Sequence, residues 1–193
     1  MKKQVSARIP TGWGEFEVYA YANRPSELLP HLAIVHPEYR QLQIPLVRVH
    51  SECLTGDLLR STRCDCGEQL HRSLELVYRQ KGVLLYLRQE GRGIGLINKL
   101  KAYNLQDGGL NTVDANHQLG FEADERTYET AAFILRDLGI SKIRLLTNNP
   151  HKVASLRQDG IEILERISLQ IEPSELNEKY LQTKKDVLGH LLD

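Results

Sequence analysis

Glu68-Gln69-Leu70-His71-Arg72-Ser73-Leu74-Glu75-Leu76-Val77-Tyr78-Arg79-Gln80 runs through Lys81-Gly82 into Val83-Leu84-Leu85-Tyr86-Leu87. In the first part Leu70, Leu74 and Val77 fall at i, i+4 and i+7, which places them on one face of a helix. Lys81-Gly82 stops that helix, and the five apolar or aromatic residues that follow have the length and makeup of a buried strand. Downstream the alternation repeats. Leu96, Leu100 and Tyr103 predict a helix to about Gln106, stopped by Asp107-Gly108-Gly109. Tyr128, Ala131, Leu135 and Leu138 predict a third helix from Glu125 to Leu138, stopped by Gly139 and followed by a strand over 142–146. A short helix near 150–158, a strand at 161–166 and a polar, helical tail over 174–192 complete this part. Upstream the chain is β-rich. Thr11-Gly12-Trp13-Gly14 reads as a turn into the alternating Phe16-Glu17-Val18-Tyr19, and short strands are predicted at 31–36 and 45–50. The expected fold is α/β (mixed α+β): one compact domain over 1–193, a mixed sheet flanked by helices, antiparallel strands near the N-terminus, and a helical or partly mobile tail from about residue 171.

The chain has 193 residues, a length that suits one domain with a sizeable core. Lys plus Arg and Asp plus Glu number 25 each, so the formal net charge is zero. A field over the whole surface cannot draw this chain to a polyanion, which counts against a general nucleic-acid binder. Met1-Lys2-Lys3-Gln4 leads into no apolar segment of leader type, and the longest apolar runs are strand-sized, so a cytoplasmic protein with no membrane partner is expected.

The three cysteines, Cys53, Cys64 and Cys66, form a C-x10-C-x-C pattern. An odd number of thiols without an export signal argues against a disulfide framework. Three thiolates with no fourth cysteine suit a zinc ion that keeps one coordination position open for catalysis, and Arg63 and the start of the following helix would favour the thiolate form. A structural zinc closed by His50 or His71, and plain free thiols, are the alternatives at this point. His50-Ser51-Glu52 contains the H-x-E of zinc deaminases, but Cys64-Asp65-Cys66 is not their P-C-x-x-C, and that assignment fails.

Three further segments carry polar chemistry. Arg88-Gln89-Glu90-Gly91-Arg92-Gly93-Ile94-Gly95 joins the strand to the next helix, where glycines allow close backbone approach and arginines can meet phosphate; a plain turn is the alternative. Residues 112–126 read as a long polar loop, which in a small domain tends to be functional. Within it Asp124 would by itself be read as the N-cap of the third helix. Arg126 would lie in that helix's first turn, where a cation opposes the dipole unless an anion is near. Tyr103 reads as a core residue with its hydroxyl at the rim. Thr147-Asn148-Asn149-Pro150-His151-Lys152 leaves a strand and enters a helix, the place where ligands gather in α/β sheets, although a cap and turn would explain it equally well.

Taken together, Arg48-Val49-His50-Ser51-Glu52-Cys53, Arg63-Cys64-Asp65-Cys66-Gly67, Arg88-Gln89-Glu90-Gly91-Arg92, Ala115-Asn116-His117-Gln118-Leu119-Gly120-Phe121, Asp124-Glu125-Arg126 and Leu146-Thr147-Asn148-Asn149-Pro150 resemble the GTP cyclohydrolase II family across nearly the whole chain. The resemblance implies a zinc-dependent hydrolase that converts GTP to 2,5-diamino-6-(5-phosphoribosylamino)pyrimidin-4(3H)-one, formate and pyrophosphate, the first step of riboflavin biosynthesis. It implies zinc on Cys53, Cys64 and Cys66, and Mg²⁺ with the triphosphate. GTP contacts are implied for Arg48, Val49, His50, Ser51, Glu52, Gln69, Glu90, Gly91, Arg92, Thr112, Thr147 and Lys152. Asp124 is implied as proton acceptor, Arg126 as a nucleophile toward the α-phosphate and Tyr103 as an aid to ring opening. A homodimer is also implied. Family members occur fused to a dihydroxybutanone-phosphate synthase domain, for which 193 residues leave no room, so a monofunctional chain is expected. The rival readings are a nucleotide-binding zinc protein without chemistry, against which Tyr103, Asp124 and Arg126 all speak, and a cyclohydrolase that stops at the formylated intermediate, against which Tyr103 speaks.

Overall fold

A computed structural model describes residues 1–169, 171, 182, 189 and 191. The chain opens with a hairpin of β1 (Lys2–Thr11) and β2 (Gly14–Ala22), then β3 (His31–Val35) and β4 (Leu46–Ser51). Two helices follow, α1 (Leu54–Asp57) and α2 (Cys66–Arg79), then β5 (Val83–Leu87), α3 (Gly95–Asp107), α4 (Thr112–Gln118) and α5 (Glu129–Asp137). The last described elements are β6 (Lys142–Leu146), α6 (Pro150–Gln158) and β7 (Glu162–Ile167). Among the described residues, seven strands form one sheet in the order β1-β2-β3-β5-β4-β6-β7. From β1 to β5 the neighbours are antiparallel, and from β5 through β4 and β6 to β7 they are parallel. The mixed α/β fold with its antiparallel portion first is therefore as expected.

The helix over 68–80 and the strand over 83–87 form within two residues of their predicted bounds. Val77 is fully buried beneath Phe16 and Leu84, with Leu70 and Leu74 packed alongside. Alternation along β4 divides the molecule. Val47 and Val49 point into the main core with Leu85, Leu87 and the buried stripe of α5, Ala131, Ala132, Ile134 and Leu135. Arg48 and His50 point to the opposite face, where α1 and α2 lie.

Three expectations change. The helix predicted from Glu125 begins at Glu129, with Tyr128 at its N-cap, so Asp124 caps nothing and Arg126 lies outside the helix. The polar loop over 112–126 is partly helical, because the Asn111 side chain accepts the N–H groups of Val113 and Asp114 and starts α4. In α3 the buried positions are Lys99 and Ala102, while Leu100 is 46% exposed, so the Leu96–Leu100–Tyr103 stripe does not face the core. The expected helical tail over 174–192 lies almost wholly outside the described residues.

Candidate active site

The parallel strands β4, β5 and β6 end on the same side of the sheet, and the segments leaving them enclose an open cleft of roughly 1070 Å³, counting its mouth. Ligands collect at such carboxyl ends because several loops and helix starts converge there. The walls include all three cysteines and Arg48, His50, Ser51, Glu52, Gln69, Glu90, Gly91, Arg92, Tyr103, Thr112, Arg126, Thr147 and Lys152. Of the residues that the resemblance assigns to the site, Val49 and Asp124 stay off the wall. Val49 keeps its side chain in the core and reaches the site through its carbonyl, which accepts the Lys152 ammonium at 2.6 Å. Asp124 stands behind Arg126, whose Nε donates to its carboxylate at 2.7 Å.

The thiols converge because Cys53 directly precedes α1, Cys66 opens α2, and these two helix starts meet backbone to backbone. A Cβ on Gly67 would sit 2.2 Å from the Gly56 carbonyl oxygen, and one on Gly56 would meet the Sγ atoms of Cys53 and Cys64 at 3.1 Å. Only glycine permits this approach. The three sulfurs lie within 4.8 Å of one another, and the Cys53 and Cys64 sulfurs are 3.7 Å apart. Tetrahedral zinc with bonds of about 2.3 Å places its sulfurs about 3.8 Å apart, so the cluster fits that ion. Among the described residues no histidine or carboxylate joins the group. His50 gives its Nε2 to Asp57 at 3.0 Å, and His71 packs edge-on to Trp13, so neither closes the site in this arrangement. Without metal, hydrogen bonds from Cys64 and Cys66, aided by Lys99, hold Cys53 far below the ordinary thiol range. The same sharing with Cys53 pushes Cys64 up to about 11.

The glycine-rich segment departs from ordinary turn geometry. Gly91 and Arg92 both have φ of 61°, and Gly93 and Gly95 are also left-handed. For arginine that conformation costs on the order of 1 kcal/mol, and it persists because neighbours fix it. The Arg92 carbonyl accepts the Glu125 N–H at 3.0 Å, and Gly93 lies so close to Glu125 that a Cβ would come within 2.9 Å of it. Residues 90–95 and 122–126 thus brace each other, which brings Arg126 to the cleft. Across the cleft, Asn149 caps α6 by accepting the N–H groups of His151 and Lys152, and Thr147 Oγ1 accepts the Asn149 N–H. The cap-and-turn reading of this segment holds, and Thr147 and Lys152 line the wall as well.

Burial sets the charge states. The buried Arg48 guanidinium is lowered to about 10 by desolvation, yet it remains charged at neutral pH and donates to Gln69 Oε1 at 2.7 Å and to the Leu146 carbonyl. Burial lowers His50 and so favours its neutral form. It raises Tyr103, which keeps that phenol protonated. Desolvation works against the Asp124 carboxylate, but Arg126 outweighs it and holds the group below its usual range. Among the described residues, Arg48 Nε and His50 Nδ1 are buried and find no hydrogen-bond partner, an arrangement that a polar ligand in the cleft would satisfy.

Lys99, Asn116 and Asn148 also line the cleft but were not singled out in the sequence. Lys99 carries no periodic or motif signal of its own, and Asn148 lies inside a quoted motif whose alternative reading is a cap and turn. Asn116 sat inside a quoted motif, in a stretch read as loop.

Residues 2–168 match the family model described as GTP cyclohydrolase II. A riboflavin biosynthesis protein RibBA of Bacillus subtilis is 55% identical over 194 residues, covering 100% of this chain and 48% of the relative. Another RibBA, of Chlorobium phaeovibrioides, is 52% identical over 193 residues, covering 100% of this chain and 47% of the relative. The chain therefore spans about half the length of the curated relatives it matches. The crystal structure of RibBX, a two domain 3,4-dihydroxy-2-butanone 4-phosphate synthase from A. baumannii, overlaps 89% of this chain and 40% of its own at 24% identity, with a TM-score of 0.49. With a family model matched over residues 2–168 and motifs that meet in one cleft, this chain belongs to the GTP cyclohydrolase II family of enzymes.

Proposed function

We propose that the cleft hydrolyses GTP to 2,5-diamino-6-(5-phosphoribosylamino)pyrimidin-4(3H)-one, formate and pyrophosphate. The observation that carries this reading is the opening of a three-thiol cluster and a left-handed, arginine-bearing glycine loop into the same cleft. Cys53, Cys64 and Cys66 would hold zinc, which supplies a Lewis acid that activates water toward the purine carbon lost as formate. Arg92, Lys152 and the N–H groups of the loop would hold the triphosphate, which enters with Mg²⁺. Glu90, Gly91, Thr112 and Thr147 bound the same space, and Arg48, Gln69 and the 49–52 segment would receive the nucleoside.

Arg126 acts through charge on the α-phosphate. A guanidinium paired with a carboxylate keeps its protons, and a protonated arginine is no nucleophile, so stabilisation of developing negative charge is the role its surroundings favour. Asp124, kept ionised by that pair, is in the form required of a proton acceptor. Tyr103, protonated and 3.5 Å from Thr55 Oγ1, is in the form required of a donor as the ring opens. The same reading makes GTP the small-molecule partner of a cytosolic homodimer.

The test is to incubate zinc-loaded protein with GTP and Mg²⁺ and to quantify formate, pyrophosphate and the diaminopyrimidine. All three should form with wild type. Cys64→Ser should lose formate release, and Tyr103→Phe should slow it by about 10²-fold or more, the usual contribution of a positioned acid. GTP that binds but stays intact would instead make this chain a nucleotide-binding protein.

A further inference from the structure

Lys99 belongs to no motif, yet its ammonium reaches the thiol cluster directly. It projects from the buried face of α3, its side chain is 10% exposed, and its ammonium donates to Cys53 Sγ at 3.1 Å and to Glu90 Oε1 at 2.7 Å. Glu90 opens the glycine loop, and its side chain is only 9% exposed. Its second oxygen accepts the N–H of Leu54, the residue after Cys53, at 2.6 Å, and its first accepts the N–H of Gly91. One thiol is thus held at its sulfur by Lys99 and at the neighbouring peptide by Glu90, and the two holders are bonded to each other. Burial opposes the ammonium charge, but the Cys53 sulfur and Glu90 more than offset this.

We propose that Lys99 is a positioning residue of the metal site, which withdraws electron density from the Cys53 sulfur through a charged hydrogen bond and is itself set by Glu90 from the phosphate-binding loop. The proposal rests on the reading of the three thiols as metal ligands. Three thiolates bring three negative charges to a dication, and a sulfur that gives up density to an ammonium is a poorer donor. The ion beside it keeps more of its electrophilic character. Because Glu90 draws on the same ammonium, the two acceptors compete: whatever weakens the Lys99–Glu90 bond strengthens the Lys99–Cys53 bond. A merely structural lysine would make no such trade.

Cobalt(II) reports this directly, since its sulfur-to-metal charge-transfer band moves to lower energy as the thiolate becomes a better donor. Cobalt-loaded full-length wild type, Lys99→Met and Glu90→Gln are compared without nucleotide, with far-ultraviolet circular dichroism to confirm folding. Lys99→Met is expected to shift the band to lower energy, because the sulfur freed of the ammonium is the better donor. Glu90→Gln is expected to shift the band in the opposite direction, because the amide competes less for the ammonium. Bands that coincide across the three proteins, or that move in the same direction in both variants, overturn the proposal. So does a Lys99→Met protein that no longer folds, if Glu90→Gln leaves the band in place. A wild type that binds no cobalt overturns the metal reading and this proposal together, whereas opposite shifts in a protein that leaves GTP intact would uphold this proposal and sink only the hydrolase reading.

Discussion

Helices α2 and α3 flank the same cleft and are built on opposite principles. The inner face of α2 is apolar where it meets the sheet, with Val77 wholly buried under Phe16 and Leu84, and only its first turn, with Cys66 and Gln69, serves the site. The inner face of α3 gives Lys99, Ala102, Tyr103 and Gln106 to the cleft wall, while its Leu100 and Ile97 stand 46% and 73% exposed. One helix is held by the core. The other is held by what it does at the site, with its lysine bonded to a thiol and a carboxylate and its Tyr103 ring within 5.0 Å of the Arg63 guanidinium. Apolar periodicity is thus a reliable guide to a helix whose burial is apolar, and it misplaces the face of a helix whose burial is polar.

Substitutions at matched positions would break or sharpen this contrast. The largest effect is expected from Gly67→Ala at the start of α2. A Cβ 2.2 Å from the Gly56 carbonyl cannot be accommodated without separating the two helix starts, so the protein should lose about 3 kcal/mol or more in urea unfolding and should no longer retain zinc. Next comes Val77→Ala in the middle of α2, expected to cost about 2 kcal/mol by the same measurement while leaving turnover per folded molecule unchanged. The smallest effect belongs to Leu100→Ser on α3, where the side chain already meets solvent and stability should change by less than about 0.5 kcal/mol. If Leu100→Ser cost as much as Val77→Ala, α3 would be packed by the stripe that its sequence suggests, and the contrast would collapse.

The same distinction explains how far the sequence could be read. Strands 83–87 and 142–146 form at their predicted residues because each is a short, largely apolar run, and helix 150–158 does so because Asn149 and Pro150 mark its start. The start of α5 was misplaced by four residues, because Glu125 and Arg126 are as acceptable in a helix as outside one. What removes them is the brace between Glu125 and Arg92, which joins residues 33 apart and leaves no local trace. The thiol cluster was legible from spacing, and its closure by two glycines was not, since either glycine alone reads as a turn. Asp124 and Arg126 take their catalytic roles from the family resemblance. Their mutual ion pair, which makes the arginine a held cation and leaves the aspartate behind the wall, could come only from their placement.

The left-handed backbone at Arg92 has an implication for the chain's history. Positions 91, 93 and 95 hold glycine, the residue that conformation favours, whereas position 92 adopts the same conformation with a long cationic side chain. Selection for folding alone would drift toward glycine at all four. The arginine puts a cation on the cleft wall that glycine could not supply, and a variant built only to relieve backbone strain would be apt to erase it. Arg60 and Lys81 adopt the same conformation away from that wall, so what sets Arg92 apart is where its strained backbone delivers the charge.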